Sequence, residues 1–303
     1  MRITFLGTAA ARPTVGRNVS SLTVQREGEL LMFDCGEGTQ RQMMRFGTGF
    51  ALDDIFFTHL HADHFLGVIG LLRTMGLQGR EEPIRLWTPH GTEPVLRSAV
   101  ELGVERVGFE VRITGVAPGE AVERGAYDIL PFRTIHGGPG VGYAIREHPR
   151  LGRFDPERAR QLGIPEGPLW GQLHHGKAVE IDGRRIEAAE VVGPPRPGRL
   201  VVYSGDTRPS RHTIEAAKMA DLLIHEATFA SDESARATAT GHSTAREAAR
   251  VAKEAGVRRL ILTHFSPRYA DDPRLLEREA RGIFREVVAA YDGMVVEVPY
   301  PEE

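Results

Sequence analysis

The sequence lacks the features that define several classes of protein. Its 303 residues include one cysteine, Cys35, which excludes a disulfide framework or a cysteine-rich zinc module and predicts a cytoplasmic protein. The longest apolar run, residues 65–72, is far shorter than the roughly 20 residues that span a bilayer. A formal net charge of −3 argues against non-specific coating of nucleic acid. We therefore expect a globular protein that binds neither membranes nor DNA.

Glycine, proline and histidine are plentiful instead, with 34, 19 and 12 residues. Apolar strand patterns alternate with helical patterns on both sides of a proline- and glycine-rich stretch, 146–198. The predicted helices include 65–75, 244–255 and 273–290. Two β-rich halves that each carry helices predict one domain over 1–303, in which two sheets pack together with the helices outside.

A dense group of possible metal ligands, His59-x-His61-x-Asp63-His64, follows the short apolar strand pattern of 55–57. Residues two apart on an extended segment share one side, so His59 and His61 project together, and the next turn brings Asp63 and His64 alongside. Imidazoles and carboxylates suit zinc, although manganese and iron accept the same ligands. The alternative is a polar loop bonded to its own backbone, which four ligand-type residues in six disfavour. Asp63 is also expected to cap a helix that begins near residue 65.

Three more possible ligands stand where predicted strands end: His136, Asp206 and His264. Each alone is explained as easily by a structural role, such as a helix cap or a hydrogen-bonded loop residue. Together with the first motif they give five histidines and two aspartates. This is one ligand set for a two-metal centre if an aspartate bridges the ions.

These motifs resemble the metallo-β-lactamase superfamily. The sequences HEAT at 225–228 and GHST at 241–244, with the Gly-Pro-containing insertion, resemble more narrowly the tRNase Z family, and the resemblance covers nearly the whole chain. It implies an α+β fold, the αββα sandwich. It also implies a zinc-dependent endoribonuclease that removes the 3′ trailer of precursor tRNA, in which a metal-bound hydroxide attacks the phosphodiester and a 3′-hydroxyl is left on the tRNA.

The resemblance also implies a role for each site residue. Two zinc ions per chain are expected: one held by His59, His61 and His136, the other by Asp63, His64 and His264, with Asp206 bridging them. Asp63 would also orient or deprotonate the attacking water.

His242 would protonate the leaving ribose oxygen, and Glu226 would orient the His242 imidazole. The alternative places His242 in the N-cap region of the helix after it, with Ser243 as the cap, and makes Glu226 a buried structural carboxylate. Asp34 and Glu37 are expected either to orient ligand histidines or to serve only in a turn.

Substrate contacts are implied at both ends of the resemblance. Arg17 and Asn18 in the first loop, and Gly167 and Pro168 in the inserted arm at 146–177, are expected to bind the tRNA. A homodimer is also implied. Val15 replaces a lysine that many relatives carry, which leaves open whether cleavage falls before or after the CCA end. Trp170 is expected to belong to a small core within the arm, the alternative being an aromatic platform.

Two other functions compete with this interpretation. A small or cyclic phosphodiester hydrolase would use the same site, but a small substrate needs no remote arm. A metal-free scaffold in an RNA-processing assembly would have no reason to keep every ligand.

Overall fold

The computed structural model describes residues 1–104 and 106–301. Its strands are β1 (Arg2–Gly7), β2 (Ser21–Arg26), β3 (Glu29–Phe33), β4 (Asp54–Phe56), β5 (Ile84–Pro89), β6 (Val111–Val116), β7 (Val122–Arg124), β8 (Tyr127–Arg133), β9 (Val141–Glu147), β10 (Val179–Ile181), β11 (Arg184–Ile186), β12 (Leu200–Tyr203), β13 (Leu222–Glu226), β14 (Leu260–Thr263), β15 (Val287–Ala289) and β16 (Val295–Glu297). Its α-helices are α1 (Thr39–Phe46), α2 (Ala62–Phe65), α3 (Gly67–Leu77), α4 (Glu93–Val100), α5 (Pro156–Gln161), α6 (Pro168–His174), α7 (Arg211–Ala216), α8 (Ser234–Thr240), α9 (Ala245–Ala255) and α10 (Arg274–Arg281). Across the described ranges, none of these helices has the length and apolar character needed to cross a membrane.

The chain divides into two compact units, and the larger one consists of Met1–Arg146 and Leu200–Pro299. It holds two seven-stranded sheets, ordered β16-β1-β2-β3-β4-β5-β6 and β15-β14-β13-β12-β9-β8-β7. Strands β3 to β6 are parallel to one another, and so are β12 to β15. In each parallel set the carboxyl ends of the strands therefore meet at one edge of the sheet.

Aromatic side chains fill the space between the two sheets. Phe33 and Phe56 of the first sheet meet Tyr143 of the second edge-on, with ring centroids 5.6 and 5.5 Å away. All three rings are fully buried, and the Tyr143 hydroxyl donates to the carbonyl of Phe57 at 2.8 Å. Rings of this size bury more apolar area than any other side chains, so this cluster is a main contributor to sheet packing.

Helices cover the outer face of each sheet. Leu71, Leu72 and Met75 of α3 lie in the core under the first sheet, together with residues of α1 and α4. The second sheet is covered by α7, α9 and α10, and the buried face of α9 is made of alanines and Val251. Small side chains allow the helix to approach the sheet closely. The resulting helix–sheet–sheet–helix layering confirms the predicted αββα sandwich.

The helix predicted over 273–290 is wrong in its second half. The helix α10 ends at Arg281, and after Gly282 the chain returns to form β15, in which Val287 pairs in parallel with Leu260 of β14. Val287 and Val288 are β-branched and favour a strand. An available sheet edge decides the structure of this segment.

The second unit consists of residues 147–199 with 300 and 301. It has its own core beneath α5, α6 and the β10–β11 hairpin, made of Ala159, Ile164, Leu173, Val179, Ile186 and Val191. Trp170 packs near Phe154 with ring centroids 5.1 Å apart, and its indole N–H donates to the carbonyl of Ile164. The expected small core around Trp170 is therefore present, and the unit extends past the predicted arm to residue 199.

Candidate metal centre

Four loops that follow strands deliver the predicted ligands to one edge of the larger unit. The loop after β4 carries His59 to His64, and His136 follows β8. Asp206 follows β12 and His264 follows β14. Because β4 is parallel to its neighbours β3 and β5, and β12, β13 and β14 are parallel to one another, their carboxyl ends are the natural meeting place of these side chains.

One cluster contains His59, His61, His136 and Asp206, whose ligand atoms all lie within 4.8 Å of one another. The Nδ1 atom of His61 lies 2.9 Å from His59 Nε2 and 3.1 Å from His136 Nε2. The Oδ2 atom of Asp206 lies 3.7 and 3.8 Å from the same two Nε2 atoms. Three imidazole nitrogens and one carboxylate oxygen therefore converge on a single point.

A second cluster contains Asp63, His64 and His264. The Nε2 atoms of the two histidines are 3.3 Å apart, and Asp63 Oδ2 lies 3.6 Å from His64 and 3.3 Å from His264. Asp206 is also close, with carboxylate oxygens 3.4 Å from His64 and 3.3 Å from His264. All seven predicted ligand residues thus lie together, and Asp206 lies between the two clusters.

The chemistry of this donor set fits divalent metal ions. Asp206 is 4% exposed, and within the described residues its Oδ1 has no hydrogen-bond partner. A buried carboxylate oxygen without a donor is costly, and a cation would compensate it. Burial and the neighbouring imidazole of His64 hold the pKa of His59 well below its ordinary value, and burial also lowers the pKa of His61. Both rings are then neutral, the form that binds a metal.

Hydrogen bonds on the far side of each ring fix its orientation. The Nδ1 of His64 donates to Asp34 at 2.8 Å, and Tyr203 and Thr58 donate to the same carboxylate. Thr228 Oγ1 lies 2.9 Å from His264 Nδ1. Such outer contacts set which nitrogen faces the metal and how the ring is turned. Of the two acidic residues expected here, Asp34 has this orienting position.

Asp63 does not cap a helix as expected. The short helix α2 already begins at Ala62, with His61 as its N-cap residue. The Oδ2 of Asp63 instead accepts a hydrogen bond from the backbone N–H of Ala11 at 2.7 Å. Burial raises the pKa of Asp63, but the neighbouring His64 and His264 outweigh it and hold the pKa below its ordinary value. Asp63 is therefore an ionised carboxylate aimed at the second cluster.

His242 and Glu226 form a hydrogen-bonded pair beside the two clusters. His242 Nδ1 lies 2.9 Å from Glu226 Oε1, and the His242 ring centroid lies 4.7 Å from that of His136 and 5.3 Å from that of His264. Glu226 is 1% exposed and also accepts hydrogen bonds from Thr207 N at 2.9 Å and Ser243 N at 3.0 Å. A saturated, ionised carboxylate can only accept, so Nδ1 of His242 carries the proton.

The environment of His242 favours its protonated form. Burial lowers the pKa of His242, but the charge and hydrogen bond of Glu226 outweigh it and raise the pKa to about 9. The cap of α9 is the Thr244 side chain, so the expected cap at Ser243 is wrong. His242 Nδ1 is also 3.9 Å from Asp206, but this nitrogen is already bonded to Glu226. The ring can therefore present a proton on Nε2 to the site.

The predicted substrate contact of Arg17 is not supported by its geometry. The guanidinium is buried and donates to Thr8 Oγ1 at 2.7 Å and to the carbonyls of Ala270 and Ala290 at 2.7 and 2.9 Å. The backbone N–H of Asn18 donates to Asp292 at 2.6 Å. Arg17 therefore anchors the first loop to the segment after β14 and does not reach outward.

The two predicted tRNA-binding residues of the arm begin a helix. Gly167 precedes α6 with φ 132°, a backbone conformation that favours glycine, and Pro168 is the first residue of the helix. A role in RNA binding stays a prediction for both.

Sequence reasoning missed one group of residues around His242. Arg208 contacts the carbonyl of His242 and the carboxylate of Glu247. The pattern Thr244-x-x-Glu247 is a capping-box signature that could have indicated Glu247. Nothing in the sequence indicated that Arg208 would lie against it.

Comparison with known proteins places the chain in a family. A family model for Anti-Pycsar protein Apyc1 matches residues 1–113, and one for a Beta-lactamase superfamily domain matches residues 172–265. Ribonuclease Z from Gemmatimonas aurantiaca is 57% identical, covering 99% of this chain and 97% of the relative. Ribonuclease Z from Myxococcus xanthus is 52% identical, covering 99% of this chain and 98% of the relative.

Solved structures agree with the sequence relatives. The short form of human tRNase Z has a TM-score of 0.72 and 28% identity, covering 99% of this chain and 100% of the human chain. Yeast PDE1, at 14% identity and a TM-score of 0.64, shares the fold alone. Identity near or above half over almost the full length, with a matching site, shows that the chain belongs to the ribonuclease Z family of metallo-β-lactamase-fold endoribonucleases.

Proposed function

We propose that this endoribonuclease removes the 3′ trailer of precursor tRNA and leaves a 3′-hydroxyl on the tRNA. The observation that carries the proposal is the His242–Glu226 pair, which stands beside a cluster of seven metal-ligand side chains. A phosphodiester with a ribose oxygen as leaving group needs both an activated water and a proton donor. The site has residues suited to each task on adjacent strand ends.

Two zinc ions per chain belong to the proposal. His59, His61 and His136 would hold one, Asp63, His64 and His264 the other, with Asp206 shared between them. Bound ions of this kind lower the pKa of a coordinated water and offset the charge of the phosphate oxygens. The close approach of Asp206 to both groups of ligands supports the shared position.

The protein's own residues divide the proton transfers. Asp63 would orient the attacking water and accept its proton, which its ionised state allows. His242 would donate its Nε2 proton to the ribose 3′ oxygen as that oxygen leaves. Glu226 would hold the tautomer of His242 and stabilise its positive charge before the transfer. The raised pKa of His242 keeps this proton in place at neutral pH.

The smaller unit is proposed as the tRNA-binding arm. Its separate core supports it as a folded module that presents a surface of its own, including Gly167 and Pro168 at the start of α6. A cytoplasmic homodimer also belongs to the proposal, supported by the family resemblance and by the single, buried Cys35.

Mapping of product ends tests the proposal. The purified protein, loaded with zinc, is incubated with a 3′-extended tRNA precursor, and both product ends are sequenced. We expect one cut at the trailer junction, a 3′-hydroxyl on the tRNA and a 5′-phosphate on the trailer. The mapped position also tells whether cleavage falls before or after CCA. Scattered cuts, or a cyclic phosphate on the tRNA, would contradict the proposal. Asp206→Asn is the matched inactive control.

A further inference from the structure

An ion pair outside the ligand cluster grips the backbone of His242. Arg208 lies two residues after Asp206, and its side chain is 21% exposed. Its guanidinium donates to both carboxylate oxygens of Glu247, at 2.9 and 2.5 Å, and its Nη1 also donates to the carbonyl of His242 at 2.6 Å. Charge-assisted, two-pronged contacts of this kind are among the strongest and most directional in proteins.

Glu247 would be satisfied without Arg208. It is the third residue of α9, and its Oε2 accepts from the backbone N–H of Thr244 at 2.9 Å and from the Thr244 hydroxyl at 3.1 Å. The Thr244 hydroxyl in turn accepts from the N–H of Glu247. This capping box completes the helix start by itself. The guanidinium is therefore an additional element, and its third contact is directed at His242.

The contacts of Arg208 complete a frame around His242. The N–H of His242 donates to the carbonyl of Ala237 at 2.8 Å, and the hydroxyl of Ser243 donates to the carbonyl of Thr207 at 2.6 Å. Arg208 adds the bond to the His242 carbonyl. Because the backbone is held on both sides of the Cα atom, the direction of the Cα–Cβ bond is fixed, and the bond to Glu226 then fixes the ring.

Arg208 also connects the frame to the loop of His136. Its backbone N–H donates to the carbonyl of Ile135 at 2.8 Å, and the N–H of Ile135 donates to Thr207 Oγ1 at 2.9 Å. Three loops, those carrying His136, Asp206 and His242, are thus joined through one residue. A shift of Arg208 would move the imidazole of His242 relative to the metal ligands.

We propose that Arg208, held by Glu247, is a positioning residue for the cleavage reaction and fixes His242 for proton donation to the leaving oxygen. The inference rests on the proposed function. It assigns to this pair a role beyond capping α9. Lysine keeps the charge but cannot span two carboxylate oxygens and a carbonyl, so Arg208→Lys is the informative variant.

A double-mutant cycle with His242→Ala tests the proposal. Arg208→Lys should lower kcat for 3′-extended tRNA by about 10- to 100-fold, the loss typical of a misplaced catalytic group, with KM nearly unchanged. In the His242→Ala background the same change should cost less than about threefold, because Arg208 acts through His242. Losses that multiply in the double variant would overturn the proposal.

A spectroscopic readout separates this inference from the proposed function. In the metal-free protein, the Nδ1–H proton of His242 bonded to Glu226 should give a downfield NMR signal, assigned by its absence from His242→Ala. Arg208→Lys should broaden or shift this signal, and an unchanged signal would overturn the inference. If the wild type fails to cleave precursor tRNA, the proposed function fails, while the NMR comparison still reports on the frame.

The matched control is Arg281→Lys. Arg281 also pairs with a helix carboxylate, Glu277 at 2.6 Å, and donates to a carbonyl, that of Val287 at 3.1 Å. Val287 pairs with Leu260 at the start of β14, at the opposite end of the strand from His264. Arg281→Lys should match Arg208→Lys in its loss of thermal stability and leave kcat and the His242 signal unchanged. Equal effects of the two variants on kcat would reduce Arg208 to a structural residue.

Discussion

Replacing Glu226 by glutamine changes the charge beside His242 with almost no change in shape. Burial lowers the pKa of His242, and the Glu226 charge and hydrogen bond outweigh it to give a value of about 9. Without that charge, the pKa returns to about its ordinary value of 6.5. At pH 7.5 the imidazole is then protonated in roughly one molecule in ten, so we expect at least a tenfold loss of precursor-tRNA cleavage.

The pH dependence gives the sign of the effect. A general acid must be protonated, so activity is present below the pKa of His242 and is lost as the pH rises through it. The wild type should keep its activity up to a pH of about 9. In Glu226→Gln the alkaline limb should move toward neutrality. The assay is kcat/KM on 3′-extended tRNA from pH 6 to 10, with metal content and thermal stability measured in parallel.

A second substrate separates proton donation from structural damage. Bis(p-nitrophenyl) phosphate releases nitrophenolate, which leaves without a proton, so its hydrolysis should change little in Glu226→Gln. His242→Ala should show the same contrast more strongly, with a loss of about 10²- to 10⁴-fold on the tRNA substrate. Equal losses on both substrates, or an alkaline limb that does not move, would refute the assignment of His242 as the acid.

Further expected outcomes concern the metal, the arm and the backbone. Asp206→Ala should lose activity on both substrates and bind fewer metal ions by elemental analysis; full metal content would contradict its shared position. Because Glu147 N and the Arg199 carbonyl are 2.9 Å apart, a short glycine linker can replace 148–198, and this should weaken precursor-tRNA binding but spare bis(p-nitrophenyl) phosphate hydrolysis; a parallel loss would make the segment scaffold. Gly67→Ala should destabilise the fold by about 2 kcal/mol or more and reduce metal content, because its Cβ would lie 1.9 Å from the carbonyl oxygen of Gly36. Gly70→Ala in the same helix meets only the movable end of the Gln40 side chain and is the control; equal effects of the two would refute the steric argument.

The layers of the fold were predictable because apolar periodicity reports burial directly. Strand–helix alternation in two halves predicted two packed sheets, and the aromatic cluster of Phe33, Phe56 and Tyr143 lies between them. The segment around Val287 was not predictable in this way, since its neighbours read as a continuing helix. Its strand depends on the free edge of β14, a partner distant in sequence. Tertiary contacts override local patterns in such places.

The metal ligands were predictable for a different reason. Each of them follows an apolar strand, and parallel strands bring their carboxyl ends together, so position along the chain indicated position in space. Arg17 and Arg208 show the limit of this argument. Both are arginines in loops near the site, yet the first is buried under backbone carbonyls and the second grips His242. A long side chain reaches in many directions, and only the packed loops around it determine which one it takes.

Zinc titration of the metal-free protein tests the central claim most directly. Single-turnover cleavage of a 3′-extended tRNA precursor is measured as zinc is added in known equivalents, with any excess removed by gel filtration. If His59, His61, Asp63, His64, His136, Asp206 and His264 form one two-metal centre, cleavage should be absent without metal and reach its maximum at two equivalents per chain. Cleavage by the metal-free protein, or full activity at one equivalent, would contradict this account.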